Sequence, residues 1–377
     1  MRSVLYVSES YTPHDRRFLK AIGRQIGKTW FAPVNGSQVL KNLTLPPSVA
    51  LWPGIGQPVS LWQELAERHD VHVVHAGPLN SVLPRIVGQI DRPLVGMSWG
   101  SDILAMDSET ADSREQLLRN LLEVNALIVD CGSVLKKLDG WMPDLRIPTM
   151  RFPWGVELDR FRDLPGTRSR ALRQGLGWTD NTVLISTRSW LPHYGIPVLV
   201  EAFSLLRERL PKVRLILAGD GPLRDEIRKQ IKQLKLDGSI HSPGWIDEEE
   251  LPVWYGASDF YISSSLRDGS SVSLLEAMAC GLPVIVHREH GNLEWVRDGE
   301  NGWLVDCASA KDICAAVLNA VSGKTRREEM GTANRKKIMK EADWERHAQN
   351  IPRAYRMARE HYQNRKSRRP EKNSAVQ

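Results

Sequence analysis

The stretch from Ser263 to Asp306, SSSLRDGSSVSLLEAMACGLPVIVHREHGNLEWVRDGENGWLVD, constrains the fold more than the rest of the chain does. An apolar run ending at Tyr261–Ser263 reads as a buried strand. Ser264 to Ser271 is a loop of small residues containing Gly269, and Ser270 or Ser271 is a good helix N-cap. VSLLEAMAC then has helical spacing, with Val272, Leu275 and Ala279 on one face. Gly281 ends the helix, Pro283 prevents its return, and LPVIV is the next strand. Strand, loop, helix and strand in this order make the βαβ unit of a parallel sheet.

In such a sheet ligands sit at the C-terminal strand edge, where a loop enters a helix whose first amides and dipole favour an anion. The loop 264–271 occupies that place and carries Asp268. A second acid, Glu276, follows one turn into an apolar helix. A helix-start carboxylate favoured by the dipole is one reading. The other is a pair of acids gripping the hydroxyls of a polar ligand, with its phosphates on the amides of Gly269, Ser270, Ser271 and Val272 between them.

The stretch resembles the donor site of retaining glycosyltransferase family 4, the glycosyl transferases group 1. There two acids are separated by seven residues, the second opening EAMACGxPV, and a glycine-rich turn, a glutamate and DGxNGxLV follow. The matching residues are Asp268, Glu276 to Cys280, Gly281, Pro283, Val284, Gly291, Glu294, Asp298, Gly299, Asn301, Gly302, Leu304 and Val305. The first acid is usually a glutamate, one methylene longer than Asp268. The resemblance implies a GT-B fold: two Rossmann-like α/β domains facing across a cleft, with a C-terminal helix crossing back to the first.

The 377 residues fit two domains of about 150–200 residues each. With 41% apolar and 25% charged residues the composition is that of a soluble globular protein. No apolar run reaches the roughly 18 residues of a membrane span, and a strand (VLYVS) follows the N-terminus directly, so no secretory signal is expected. Four scattered cysteines without a CxxC predict reduced thiols and a cytoplasmic protein. The net charge of +6 is concentrated in the tail NRKSRRPEKNSAVQ, which supplies four of those charges. The body is therefore close to neutral, no nucleic-acid partner is expected, and residues 364–377 read as a basic disordered tail.

Residues 1–162 alternate short apolar strands with helical segments and form the expected N-terminal, acceptor-side domain. In RRFLKAIGRQIGK, Phe18, Leu19, Ile22 and Ile26 make an apolar face. Arg16, Lys20, Arg24 and Lys28 repeat every four residues on another, either a solvated face or a patch for anionic lipid at the inner face of the membrane. His75 and Gly77 end one strand, and Asp102 lies just past Gly100 after another. The family places HGxD at a similar position, facing the sugar. Gly100 and Asp102 match it while Trp99 replaces the histidine, which makes Asp102 a catalytic candidate beside Asp268; an Asx turn or helix cap is the alternative. Where the family has two glycines near the first strand, this chain has Pro13 to Arg17, and Arg16 or Arg17 would supply charge instead.

Residues 163–340 form the expected nucleotide-sugar-binding domain, 341–363 a helix returning to the first domain through Trp344, Ile351 and Tyr355. By resemblance Arg188 binds the donor diphosphate, while the family's second cation falls at Tyr194. The turn Gly219–Pro222 is shared, and backbone near Trp245 and Ile246 faces the base. No P-loop occurs, and no Asp-x-Asp of the kind that holds a metal in GT-A transferases. The expectation is a metal-independent transferase without cofactor. It would take a UDP- or GDP-linked sugar to a glycan or lipid-linked hydroxyl acceptor with retention, in cell-envelope polysaccharide or glycolipid synthesis. Glu276 would hold the ribose and Asp268 the sugar. The rivals are a catalytically weakened partner subunit and a GT-B nucleotide-sugar epimerase.

Overall fold

A computed structural model describes residues 3–35, 44–161 and 166–368, and the chain divides into two compact units. The first comprises Met1–Pro153 with Glu345–Gln377, the second Trp154–Trp344.

The first unit is built on a seven-stranded, all-parallel sheet. Its strands are β1 (Ser3–Ser8), β2 (Lys28–Pro33), β3 (Val49–Leu51), β4 (Val73–Ala76), β5 (Leu94–Met97), β6 (Ala126–Val129) and β7 (Thr149–Arg151), in the order β3-β2-β1-β4-β5-β6-β7. Every residue of β1, β4, β5 and β6 is buried. Sheets covered on both faces select such unbroken apolar runs, each buried Val, Leu or Ile contributing about 1.5–3 kcal/mol. The second unit repeats the plan with six parallel strands: β8 (Thr182–Ser186), β9 (Val213–Leu217), β10 (Ile240–His241), β11 (Phe260–Ser263), β12 (Val284–His287) and β13 (Gly302–Val305), in the order β10-β9-β8-β11-β12-β13. Both units are thus Rossmann-like, as the alternation of strand and helix predicts.

The chain passes to the second unit at Trp154, earlier than the expected boundary at 162. Two backbone bonds decide this: Val156 N–H donates to Ala342 and Trp344 N–H to Val156. Phe161 also packs in the second core with Tyr255 and Cys280. For the same reason Trp344 belongs to the second unit and not, as expected, to the returning helix.

That helix, Ile351–Arg368, buries Ile351, Ala354, Tyr355 and Ala358, an i, i+3, i+4, i+7 stripe. Tyr355 OH lies 2.8 Å from His75 Nδ1, and His75 Nε2 meets Met97 Sδ at 3.3 Å. Burial lowers the His75 pKa to about 3, so the ring is neutral. His75 is therefore a core residue of β4 rather than the mouth of a loop. Residues 364–368, expected in a disordered tail, are helical. Lys366 pairs with Asp91 at 2.7 Å and Arg365 donates to the Leu122 carbonyl at 2.6 Å; residues 369–377 lie outside the described residues. Lys28 opens β2 rather than extending the first helix, Pro13–Gln25, and Arg24 pairs with Glu345 at 3.1 Å, so the basic repeat is broken. All four cysteines are buried and reduced.

Tyr355→Phe removes the hydroxyl partner of a buried imidazole and is expected to lower stability by about 1–3 kcal/mol in urea unfolding. An unchanged midpoint would show that the contact contributes nothing.

Candidate functional site

In the second sheet the strand order reverses between β8 and β11. The connections leaving these neighbours run to opposite sides and open a crevice at their C-terminal ends. β8 delivers Thr187 and Arg188 there, and β11 delivers the loop 264–271. The Arg188 side chain, 8% exposed, reaches across to that loop. Its Nη2 pairs with Asp268 Oδ2 at 2.7 Å, and its Nη1 donates to Ser271 Oγ at 2.6 Å and Ser273 Oγ at 3.1 Å. The guanidinium lies 4.0 Å from the centre of the Tyr194 ring. Burial works against the Arg188 charge, but Asp268 beside it carries the pKa above the usual arginine value. The Asp268 carboxyl is pushed up by burial, against the pull of Arg188.

The helix that follows spans Val272–Ala279 and starts at Ser271 as predicted, although the Ser271 hydroxyl makes no capping bond to it. That oxygen accepts from Arg188 instead, which leaves the first amides of the helix without the usual side-chain acceptor. The buried positions are Leu274, Leu275, Ala277, Met278 and Ala279, with Val272 half-buried. Helix Lys324–Glu341 packs against this helix, so the single face Val272, Leu275, Ala279 is too narrow a description. Glu276 is half-buried and accepts from Tyr255 OH at 3.2 Å; the same hydroxyl lies 3.0 Å from Thr187 Oγ1.

Glycines set the close approaches. A Cβ on Gly219 would lie 2.3 Å from the Arg188 carbonyl oxygen, and one on Gly221 2.6 Å from that of Trp190. The GDGP turn therefore packs on the backbone that aims Arg188. A Cβ on Gly291 would lie 2.0 Å from the Gly269 carbonyl oxygen, and Gly291 N–H donates to the Asp268 carbonyl at 3.2 Å. The glycine turn after β12 thus pins the loop that carries Asp268.

The structure brings Arg188, Asp268, Gly269, Ser270, Ser271, Val272 and Glu276 to one strand edge. Trp245 and Ile246 follow β10 at the same end of the sheet. Trp245 is 59% exposed, so it is not core packing, whereas Ile246 packs against the second core. Sequence reasoning did not single out Ser273 or Tyr255, and it read Tyr194 only as a missing cation. Ser273 sits two positions after an N-cap serine, and the hydroxyl partners of Tyr255, Thr187 and Glu276, are remote from it in sequence.

Asp102 lies in the first unit, buried, with both oxygens engaged. Oδ1 accepts from Ser98 Oγ at 2.7 Å and Trp99 N–H at 3.0 Å, and Oδ2 from Leu79 N–H at 2.8 Å. It ties the loop after β4 to the loop after β5. Asp15 has a similar role near β1: with Thr12 it forms a capping box, and Tyr6 OH donates to it at 3.0 Å. The segment Pro13–Arg17 is thus the start of a helix, with Arg17 buried and Arg16 exposed.

Burial raises the Asp102 pKa to about 6, against its hydrogen bonds from Leu79, Ser98 and Trp99. The folded carboxyl holds its proton better than the unfolded one, so the stability it adds is full below the unfolded value near 4 and is lost as pH rises through about 6. Asp102→Asn puts an amide N–H₂ against donors and is expected to cost about 1–3 kcal/mol. Its deficit against the wild type, from urea unfolding at pH 4.5 and 7.5, should shrink at the higher pH; a deficit that grows would contradict the raised pKa.

Residues 169–337 match the family model described as Glycosyl transferases group 1. A GDP-mannose-dependent alpha-(1-6)-phosphatidylinositol monomannoside mannosyltransferase of Mycolicibacterium smegmatis is 30% identical over 199 residues, 51% of this chain and 52% of that protein. An alpha-monoglucosyldiacylglycerol synthase of Streptococcus pneumoniae is 31% identical over 172 residues, 45% of this chain and 38% of that one. The chain thus spans about half or less of the length of these curated relatives. Among solved structures, a sucrose-phosphate synthase of Thermosynechococcus elongatus superposes with a TM-score of 0.79 at 18% identity, over 94% of this chain and 98% of that one. HepE of Anabaena in complex with UDP gives 0.78 at 19%, over 94% and 99%. These two share the fold, which is GT-B.

Proposed function

We propose, for a chain whose residues 169–337 belong to the glycosyl transferases group 1 family, a glycosyltransferase that moves a sugar from a nucleotide-sugar donor held in the second unit to a hydroxyl acceptor. The observation that carries this reading is the buried Arg188 guanidinium, set against the start of helix Val272–Ala279 through Ser271 and Ser273. Arginine presents a rigid fork of donors suited to phosphate oxygens, and the helix start adds amides and a positive dipole end.

Sugar transfer requires that the charge developing on the leaving diphosphate be met by groups already in place. In this reading Arg188 and the amides of Gly269, Ser270, Ser271 and Val272 meet it, without a metal ion. Glu276 accepts from the ribose hydroxyls, its carboxylate oriented by Tyr255. Backbone at Trp245 and Ile246 flanks the base. Asp268 stands at the sugar end of the site. Asp102 holds the β4 and β5 loops together and acts on the substrate through their placement. Family resemblance supports transfer with retention of configuration.

By name, one curated relative acts on a phosphatidylinositol monomannoside and the other makes a monoglucosyldiacylglycerol. Those names support, for this chain, a lipid-linked or cell-envelope glycan acceptor and action at the inner face of the membrane. No helix among the described residues is long and apolar enough to cross a membrane. The donor nucleoside is uridine or guanosine in this reading, guanosine being the one in the mycobacterial relative's name.

Thermal unfolding against UDP, GDP, ADP and their sugar conjugates tests the donor site. A ligand at a hundred times its Kd stabilises by about 2.7 kcal/mol, a rise of a few degrees in Tm. One nucleotide series should raise Tm, and Glu276→Ala should abolish most of that rise. No shift with any nucleotide would remove the donor site and with it the transferase reading.

A further inference from the structure

The Arg188–Asp268 pair raises a competition that the donor-site reading leaves open. A guanidinium this buried needs a counter-charge, because desolvation of an unpaired ion costs several kcal/mol. The acid paired with Arg188 is Asp268, at 2.7 Å. The cation's remaining polar partners are neutral hydroxyls, those of Ser271, Ser273 and Tyr194, and its Nε has no hydrogen-bond partner among the described residues. A diphosphate bound to Arg188 would bring a second anion to a cation that is already neutralised.

We infer that Asp268 is the resting counter-ion of Arg188 and that a bound diphosphate displaces it. Asp268 thereby limits affinity for the phosphates and is set free only when they are present. This rests on the donor-site reading above.

The surroundings say which part moves. Gly291 N–H holds the Asp268 carbonyl at 3.2 Å, and the Gly291 backbone lies so close to Gly269 that even a methyl would clash. The loop backbone is therefore fixed, and the exchange is a rotation of the short Asp268 side chain. Ser265 and Ser271 hydrogen-bond to the carboxyl in the resting state and can retain it once phosphate has taken its place on Arg188. On the opposite side the Tyr194 ring, stacked at 4.0 Å, holds the guanidinium plane where a second cation would only repel it. His193, Arg267, Tyr261 and Tyr255 are the other charged or titratable groups that act on Asp268 or its neighbours.

The test is calorimetric titration of the full chain with inorganic pyrophosphate, UDP and GDP, comparing wild type, Asp268→Asn and Asp268→Ala. Removing the competing charge should tighten pyrophosphate binding by about tenfold or more. Asparagine retains the shape with one acceptor oxygen in place of two, and alanine removes the same charge with a different shape, so misfolding of one leaves the other informative. The gain should vanish when Arg188→Gln is added to either variant, which a merely structural effect of Asp268 would not produce. A nucleotide that binds wild type while both Asp268 variants bind pyrophosphate no more tightly overturns this inference alone. No binding of pyrophosphate, UDP or GDP to any form overturns the donor-site reading together with it.

Discussion

A guanidinium can be buried beside a helix start only if a negative charge is held against it, and the second unit is arranged around meeting that requirement. Arg188 leaves the end of β8 and meets Asp268 from the loop after β11. Neither residue could reach the other if the strand order did not reverse between these two neighbours. The glycine turns follow from the same demand. Gly219 and Gly221 allow the loop after β9 to lie on the backbone of Arg188 and Trp190, while Gly291 allows the loop after β12 to pin the backbone of Gly269. Small residues converge here because two loops approach at distances that exclude a Cβ, whatever the site binds.

The serines show how one hydroxyl is diverted from a local to a tertiary role. Ser271 stands where an N-cap belongs, yet its oxygen serves Arg188. Ser273, which accepts from the same guanidinium, also lies 2.8 Å from Tyr261 OH. The helix start gives up a capping bond, typically worth about 1 kcal/mol, and its amides stay available to an anion. Stability given up locally at a functional site is offset by the surrounding core, here the tightly packed cluster of Leu274, Leu275, Met278 and Val284.

The first unit uses its buried carboxylates for another purpose. Asp15 and Asp102 are fully engaged with backbone amides and hydroxyls, and each fixes the start of a helix at the C-terminal edge of the sheet. An aspartate that caps a helix and one that touches a substrate occupy the same kind of position in sequence, just after a strand. Only the count of donors around each oxygen separates them. Asp268, by contrast, faces a cation, and this difference in partner distinguishes the two sites.

The sequence by itself determined the parallel α/β layers, since short apolar runs such as VLYVS, alternating with loops and helical segments, read as strands covered on both faces. It also determined the strand–loop–helix unit at 261–287 and the presence there of Asp268, Glu276 and an N-terminal helix edge, because these depend on spacing of a few residues. Tertiary structure decided what those groups face. The Arg188 contacts to Asp268, Ser271 and Ser273, the Tyr255 bond to Glu276 and the Tyr194 stack each join residues brought together by sheet order. So did the transfer of Trp344 to the second unit, fixed by its backbone bond to Val156, and the helical state of residues 364–368, fixed by contacts to Asp91 and Leu122. Local pattern records backbone conformation and which side is apolar. It carries no record of which charge will lie opposite which, because that is set by chain crossings that neither partner's neighbours encode.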